Sequence, residues 1–114
     1  ARTYRPDGWT VRQLVHHVAD THLMHLFRLK NALLTPGQPA LMADVNGWGA
    51  LAEARTAPVA PSLQMLTGIH ERIAWLAETL SPADLTLTYY HAIRQRDVTL
   101  AQALSMIVWH GEHH

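Results

Sequence analysis

The chain has 114 residues, 48% of them apolar, with nine Lys plus Arg against nine Asp plus Glu and no cysteine. That length supports one domain with a modest core. It excludes a disulfide scaffold, thiolate metal sites and a cysteine nucleophile, and the balanced charge offers no basic field for nucleic acid and no acidic one either. No apolar run approaches a membrane span and residues 1–6 carry no apolar signal core, so no membrane partner is expected and the cytoplasm is the default location. The anomaly is nine histidines, most of them gathered in two stretches, His16 to His25 and His110 to His114.

Residues 1–9 form a polar lead-in that ends in the turn signal Pro6-Asp7-Gly8. Thr10-Val11-Arg12-Gln13 fits a capping box, in which Thr10 caps and Gln13 reaches back. Trp9 is placed to staple onto Leu14. A helix is predicted from about Val11 to Leu34, because Val11, Leu14, Val15, Val18, Leu26, Leu29 and Leu33 recur at helical spacing. Leu23, Met24 and Phe27 lie on other faces, which marks a central helix packed on several sides. Thr35-Pro36-Gly37-Gln38-Pro39 stops it. Ala40 to Pro61 is a long connection of the kind that carries function, with one helical turn expected around Trp48 to Ala54. A second helix should run from Pro61 to about Leu80 on the face Leu63, Leu66, Ile69, Ile73, Leu76 and Leu80, with His70 at its boundary. Leu85 to His91 alternates as a strand does, and Arg94 to Asp97 reads as a turn. The expected hairpin, from about Leu85 to Val98, is too small to make a core of its own. Thr99-Leu100-Ala101-Gln102 repeats the capping pattern, and a third helix follows to the end of the chain, with Leu100, Ala103, Leu104, Ile107 and Val108 inward.

His110 and His114 are four apart and share one face of that last helix, the spacing that offers two imidazoles to one metal ion. His114 falls within roughly 50° of the helix's apolar centre, whereas His113 points nearly the opposite way. The bland reading is a helix end with surface histidines, or the remnant of a purification tag. A third ligand should come from the first histidine stretch, where spacing alone slightly favours His22 over His17.

The segment Gly8-Trp9-Thr10-Val11-Arg12-Gln13-Leu14-Val15-His16-His17-Val18-Ala19-Asp20-Thr21-His22 closely resembles the DinB-like superfamily, in its YfiT-type branch of metal-dependent hydrolases and bacillithiol transferases. Asp44-x-x-x-Trp48-x-x-Leu51, Tyr90-His91, Thr99-Leu100 and Trp109-His110 through His114 match further, in the family order and over nearly the whole chain. The resemblance implies an all-α fold, a four-helix up-down-down-up bundle. Here it would be trimmed to about three main helices plus connecting loops, as one partial domain over residues 1–114. It also implies a three-histidine metal site made of His17, the second of the His-His pair, with His110 and His114. This displaces His22, because a central helix has a second buried side. His22 then becomes a core residue, or one that steadies a ligand or a loop. The chain departs from the pattern in three ways. Family members carry a helix before the Gly-Trp-Thr segment, they continue past the second metal histidine, and they have Pro-Tyr where this chain has Met42-Ala43.

Three neutral imidazoles leave open positions on the ion, as catalytic sites do and structural zinc sites do not. Zinc or nickel is the expected cofactor, acting as a Lewis acid toward water, a thiolate or a carbonyl. The resemblance implies either transfer of a low-molecular-weight thiol of the bacillithiol type to an electrophile or hydrolysis. The expected partners are a small-molecule substrate and a second copy of the chain in a homodimer. Catalytic candidates are Asp20, one turn from His17, and Tyr90 and His91, with Asp44 and Trp48 at the pocket mouth. Asp20 reads equally as a cap or salt-bridge partner, Glu112 as a solvated residue, and Trp9 and Trp109 as core. The alternative is a non-catalytic, metal-stabilised helical module for binding or assembly.

Overall fold

The structure, a computed structural model, describes residues 8–113, with side chains described for residues 8–107. The elements are α1 (Val11–Leu34), α2 (Val45–Gly49), α3 (Ala52–Thr56), α4 (Ala60–Thr79), a 3-10 turn (Asp84–Thr86), β1 (Thr88–His91), β2 (Arg96–Thr99) and α5 (Leu100–His113). The chain divides into two compact units, Ala1–Leu23 with Ala43–Glu71 and Met24–Met42 with Arg72–His114, so α1 and α4 each contribute one half to either.

Reciprocal caps set where the helices begin. The Thr10 N–H donates to Gln13 Oε1 at 2.9 Å, and the Gln13 N–H donates to Thr10 Oγ1 at 3.2 Å. Thr99 and Gln102 repeat the pair at 3.0 and 3.1 Å ahead of α5, and Ser81 with Asp84 does the same ahead of the 3-10 turn. Each such cap satisfies two of the backbone donors that a helix start leaves open. Helix α1 runs over the predicted span and ends where Thr35 bonds back to Asn31 and Gly37 takes φ +79°.

In the first unit the buried stripe of α1 is Gln13, His16, Ala19 and His22. The expected apolar stripe is less covered: Val11 is 39% exposed, and Leu14, Val15 and Val18 are half-buried. The polar stripe goes inside because its donors find carbonyl acceptors there. Arg12, Gln13, His16 and His17 bond the carbonyls of Thr56, Gly49, Ala57 and Val45. Those carbonyls belong to α2 and α3 or to the residue after α3. Each of these helices has only five residues, too short to hold itself. The connection is therefore two short helices, not the single turn expected around Trp48 to Ala54. Asp44 starts the first of them by accepting the Gly47 N–H at 2.9 Å.

In the second unit β1 and β2 pair antiparallel, Thr88 opposite Thr99 and His91 opposite Arg96. The segment after α1 runs alongside β1: Gly37 N–H donates to the Thr88 carbonyl, Tyr90 N–H to Gln38 and Ala40 N–H to Tyr90. Leu29, Val98 and Leu100 are fully buried here, each worth roughly 2 kcal/mol of transfer free energy. The hairpin begins later than expected because Asp84–Thr86 winds as a 3-10 turn. Its turn falls at residues 92–95, two residues ahead of the predicted one, because Arg96 and Asp97 pair with His91 and Tyr90. Among the described residues no helix is long and apolar enough to cross a membrane.

Gln95 takes φ +53° in that turn, a conformation that costs residues with a Cβ. Gln95→Gly should therefore stabilise the protein by up to about 1 kcal/mol, read as a higher urea midpoint with an unchanged slope.

Candidate functional site

His16 and His17 are adjacent in sequence and differ in how their rings are used. His16 is 4% exposed. Its Nε2 lies 3.0 Å from the Ala57 carbonyl, which can only accept, so Nε2 carries the proton. Its Nδ1 is hydrogen-bonded to Ser62 Oγ. Both ring nitrogens are thereby engaged. His17 is half-buried, and its Nδ1 lies 3.2 Å from the Val45 carbonyl. Nδ1 is thus a protonated nitrogen, and Nε2 makes no hydrogen bond among the described residues. The Trp9 ring meets His17 edge-on, with centroids 5.1 Å apart. Trp9 is itself seated on Gly49, where a Cβ would stand 2.8 Å from Cζ2 and 2.9 Å from Cζ3. The expected partner of Trp9 was Leu14; the ring contacts found are with His17 and Gly49.

Asp20 lies one turn further along α1. Burial raises its pKa, the neighbouring Glu53 raises it further, and His16 and His17 oppose the rise. The carboxyl is therefore held closer to the range of a group that exchanges protons near neutrality. His22 is 3% exposed, donates from Nδ1 to the Val18 carbonyl at 2.8 Å and meets the His70 ring edge-on at 4.6 Å. These contacts make it a core residue that closes on its own helix.

The other candidates have local structural duties. Asp44 caps α2. Tyr90 is 37% exposed, and its backbone joins the segment after α1 to the hairpin. His91 accepts the Arg94 N–H at Nδ1, 3.2 Å away. Burial lowers its pKa, and repulsion from Arg28, Arg94 and Arg96 lowers it further against an opposing backbone bond, which favours the neutral imidazole. Trp48 is 37% exposed.

His110 lies within the backbone of α5, but its side chain, those of Trp109 and Glu112, and all of His114 lie outside the described residues. Among the described residues no group of three His, Cys, Asp or Glu is placed to hold a metal. Sequence reasoning missed the Val45 carbonyl, a backbone atom without a sequence signature. It also missed Ser62 and Glu53, which neighbour His16 and Asp20 only through the fold. Arg28 was missed too, although an arginine between Phe27 and Leu29 in a largely buried helix is a visible signal.

This fold and histidine pattern define a class: the chain belongs to the DinB superfamily, whose family model matches residues 1–114. Over 111 residues it is 40% identical to a protein of Bacillus pumilus provisionally named a metal-dependent hydrolase, covering 97% of this chain and 63% of the relative. It is 39% identical over 112 residues to YfiT of Bacillus subtilis, which bears the same provisional name, covering 97% and 62%. The solved structure of YfiT, described as a probable metal-dependent hydrolase with an unusual four-helix bundle topology, superposes with a TM-score of 0.93 at 36% identity, covering 99% of this chain and 65% of that one. The fold is thus that of the YfiT bundle, and the chain spans less than two thirds of the length of these relatives.

Two outcomes test the geometry. Gly49→Ala should cost about 1–3 kcal/mol by overpacking Trp9, and the Trp9 displacement should shift the His17 ring resonances in an NMR spectrum. For Asp20 the sign is as follows: with its folded pKa raised, the native state holds the proton more tightly, so its ionisation weakens the fold as pH rises from 3.8 through the folded value. In metal-free protein Asp20→Asn should therefore gain stability over the parent at neutral pH and lose that advantage below the unfolded value, as denaturation series at several pH values would record.

Proposed function

We propose that the protein is a metal-dependent hydrolase whose divalent ion is held by His17, His110 and His114. The observation that carries this reading is the bond from His17 Nδ1–H to the Val45 carbonyl. Ligating histidines are commonly oriented this way, the carbonyl fixing the tautomer and aiming the other nitrogen at the ion. The contrast with His16, whose nitrogens are both engaged, supports His17 as the ligand of the pair. Three neutral imidazoles fit zinc or nickel. When bound, such an ion supplies Lewis acidity that activates a water or thiol or polarises a carbonyl.

The chain's own residues then have separable duties. The Val45 carbonyl and the edge of Trp9 fix the His17 ring. Asp20, with its raised pKa, is the group that holds or passes a proton. The substrate is a small molecule, and a homodimer is the assembly proposed. Transfer of a small thiol to an electrophile is the second chemistry the same site would support. In that chemistry the incoming thiol would be activated at the ion, and no protein nucleophile is required.

His17→Ala should weaken zinc or nickel affinity by more than about 100-fold, beyond the loss seen on removing partners outside the coordination sphere. It should also abolish turnover of an ester panel and conjugation of a small thiol to an aromatic halide, with the far-ultraviolet circular dichroism retained. Unchanged metal affinity would sink the ligand assignment. A cobalt-substituted spectrum showing four protein ligands and no exchangeable position would instead establish the non-catalytic, metal-stabilised module.

A further inference from the structure

Arg28, in the second half of α1, is half-buried within the second unit. Its Nε and Nη2 donate to the Leu41 carbonyl at 3.3 and 3.2 Å, and Nη2 also meets the Met42 sulfur at 3.6 Å. The Tyr89 phenol lies beside it, kept neutral because burial raises its pKa against the opposing pull of Arg28 and Arg94. Burial lowers the pKa of Arg28 itself, with Tyr89 opposing, yet a guanidinium stays charged in a protein. A full positive charge is therefore partly desolvated among neutral partners, and no carboxylate is paired with it among the described residues. Its bonds to Leu41 are solvent-exposed, so the charge stays open to an anion arriving from solution.

Beside this charge opens a recess of about 70 Å³, lined by Arg28, Asn31, Thr35, Gln38, Leu41 and Tyr89 among others. Its volume exceeds twice the share of one liquid water molecule, about 30 Å³, which suits a group of three heavy atoms. Asn31 and Gln38 are exposed, and among the described residues no hydrogen bond engages their side-chain amides. A cation and two residues with unengaged amides thus line one polar hollow.

We propose that this recess binds a carboxylate, with the Arg28 guanidinium as its countercharge and the Asn31 and Gln38 amides as further donors. A planar fork matches a carboxylate in shape. The recess suits a group of three heavy atoms, whereas a phosphate has five. The assignment does not depend on the metal reading, because no metal candidate lines the recess.

The test is a titration of the full chain with sodium acetate, followed by nitrogen–proton NMR of the arginine Nε–H and the side-chain amides, at constant ionic strength set with chloride. Acetate should shift the Arg28, Asn31 and Gln38 signals saturably, and inorganic phosphate should bind more weakly. Arg28→Gln should weaken acetate binding at least about tenfold, as loss of a charged hydrogen bond does. If Arg28→Gln does not fold, Gln38→Leu, at an exposed position with its backbone bonds kept, should produce the weakening. An acetate response matched by chloride, no saturable shift, tighter binding of phosphate, or acetate affinity unchanged in Gln38→Leu would each overturn the proposal.

Discussion

Four carbonyl oxygens of the connection between α1 and α4 are captured by side chains from a stretch of six residues of α1. Arg12 takes Thr56, Gln13 takes Gly49, His16 takes Ala57 and His17 takes Val45. The first unit depends on this. Helices of five residues have almost no internal hydrogen bonds to lose, so α2 and α3 exist because their carbonyls are met from outside. Each buried carbonyl left unmet would cost about 1–3 kcal/mol. Gln13 and His16 point inward to do this, while Arg12 reaches Thr56 from the exposed side, which explains why a stripe of Gln and His is buried while Val11 stands 39% exposed.

Within that network, two adjacent histidines are set to different tasks by which acceptor each one meets. His16 spends both nitrogens, on Ala57 and Ser62, and ties the end of α3 to the start of α4. His17 spends one nitrogen on Val45. The same side chain in consecutive positions is thus a structural tie in one case and, in the proposed function, a lone-pair donor in the other. Asp20 sits in the field of both, and their influence only partly offsets its burial and the nearby Glu53. A carboxyl so placed has its protonation tied to the state of the ring beside it.

What the sequence disclosed follows from range. The capping boxes at Thr10 and Thr99 were legible because donor and acceptor lie three residues apart, and the span of α1 followed from its cap and the Thr35-Pro36-Gly37 stop. The buried side of α1 was not legible from apolar spacing. Its burial is decided by carbonyls 28 to 44 residues away, and no local pattern encodes them. His22 was ranked high by spacing because it does lie inside, at 3% exposed; spacing reports burial, and ligation needs an available nitrogen as well. The hairpin turn slipped by two residues for a similar reason. The pairing of Arg96 and Asp97 with β1 overrides their local turn preference.

The second unit resolves its charges differently from the first. The first meets buried polar groups with carbonyls, and every histidine there has a bond that fixes its tautomer or a ring against it. In the second unit Arg28, Arg94 and Arg96 all act on His91 and keep it neutral, with burial the larger cause. Arg28 and Arg94 both act on Tyr89. The field there is positive, and the described hydrogen bonds answer it with a carbonyl and two thioethers. A carbonyl oxygen carries a partial charge and leaves the guanidinium undercompensated. That deficit, together with the open hollow at its edge, is what the proposed carboxylate would offset.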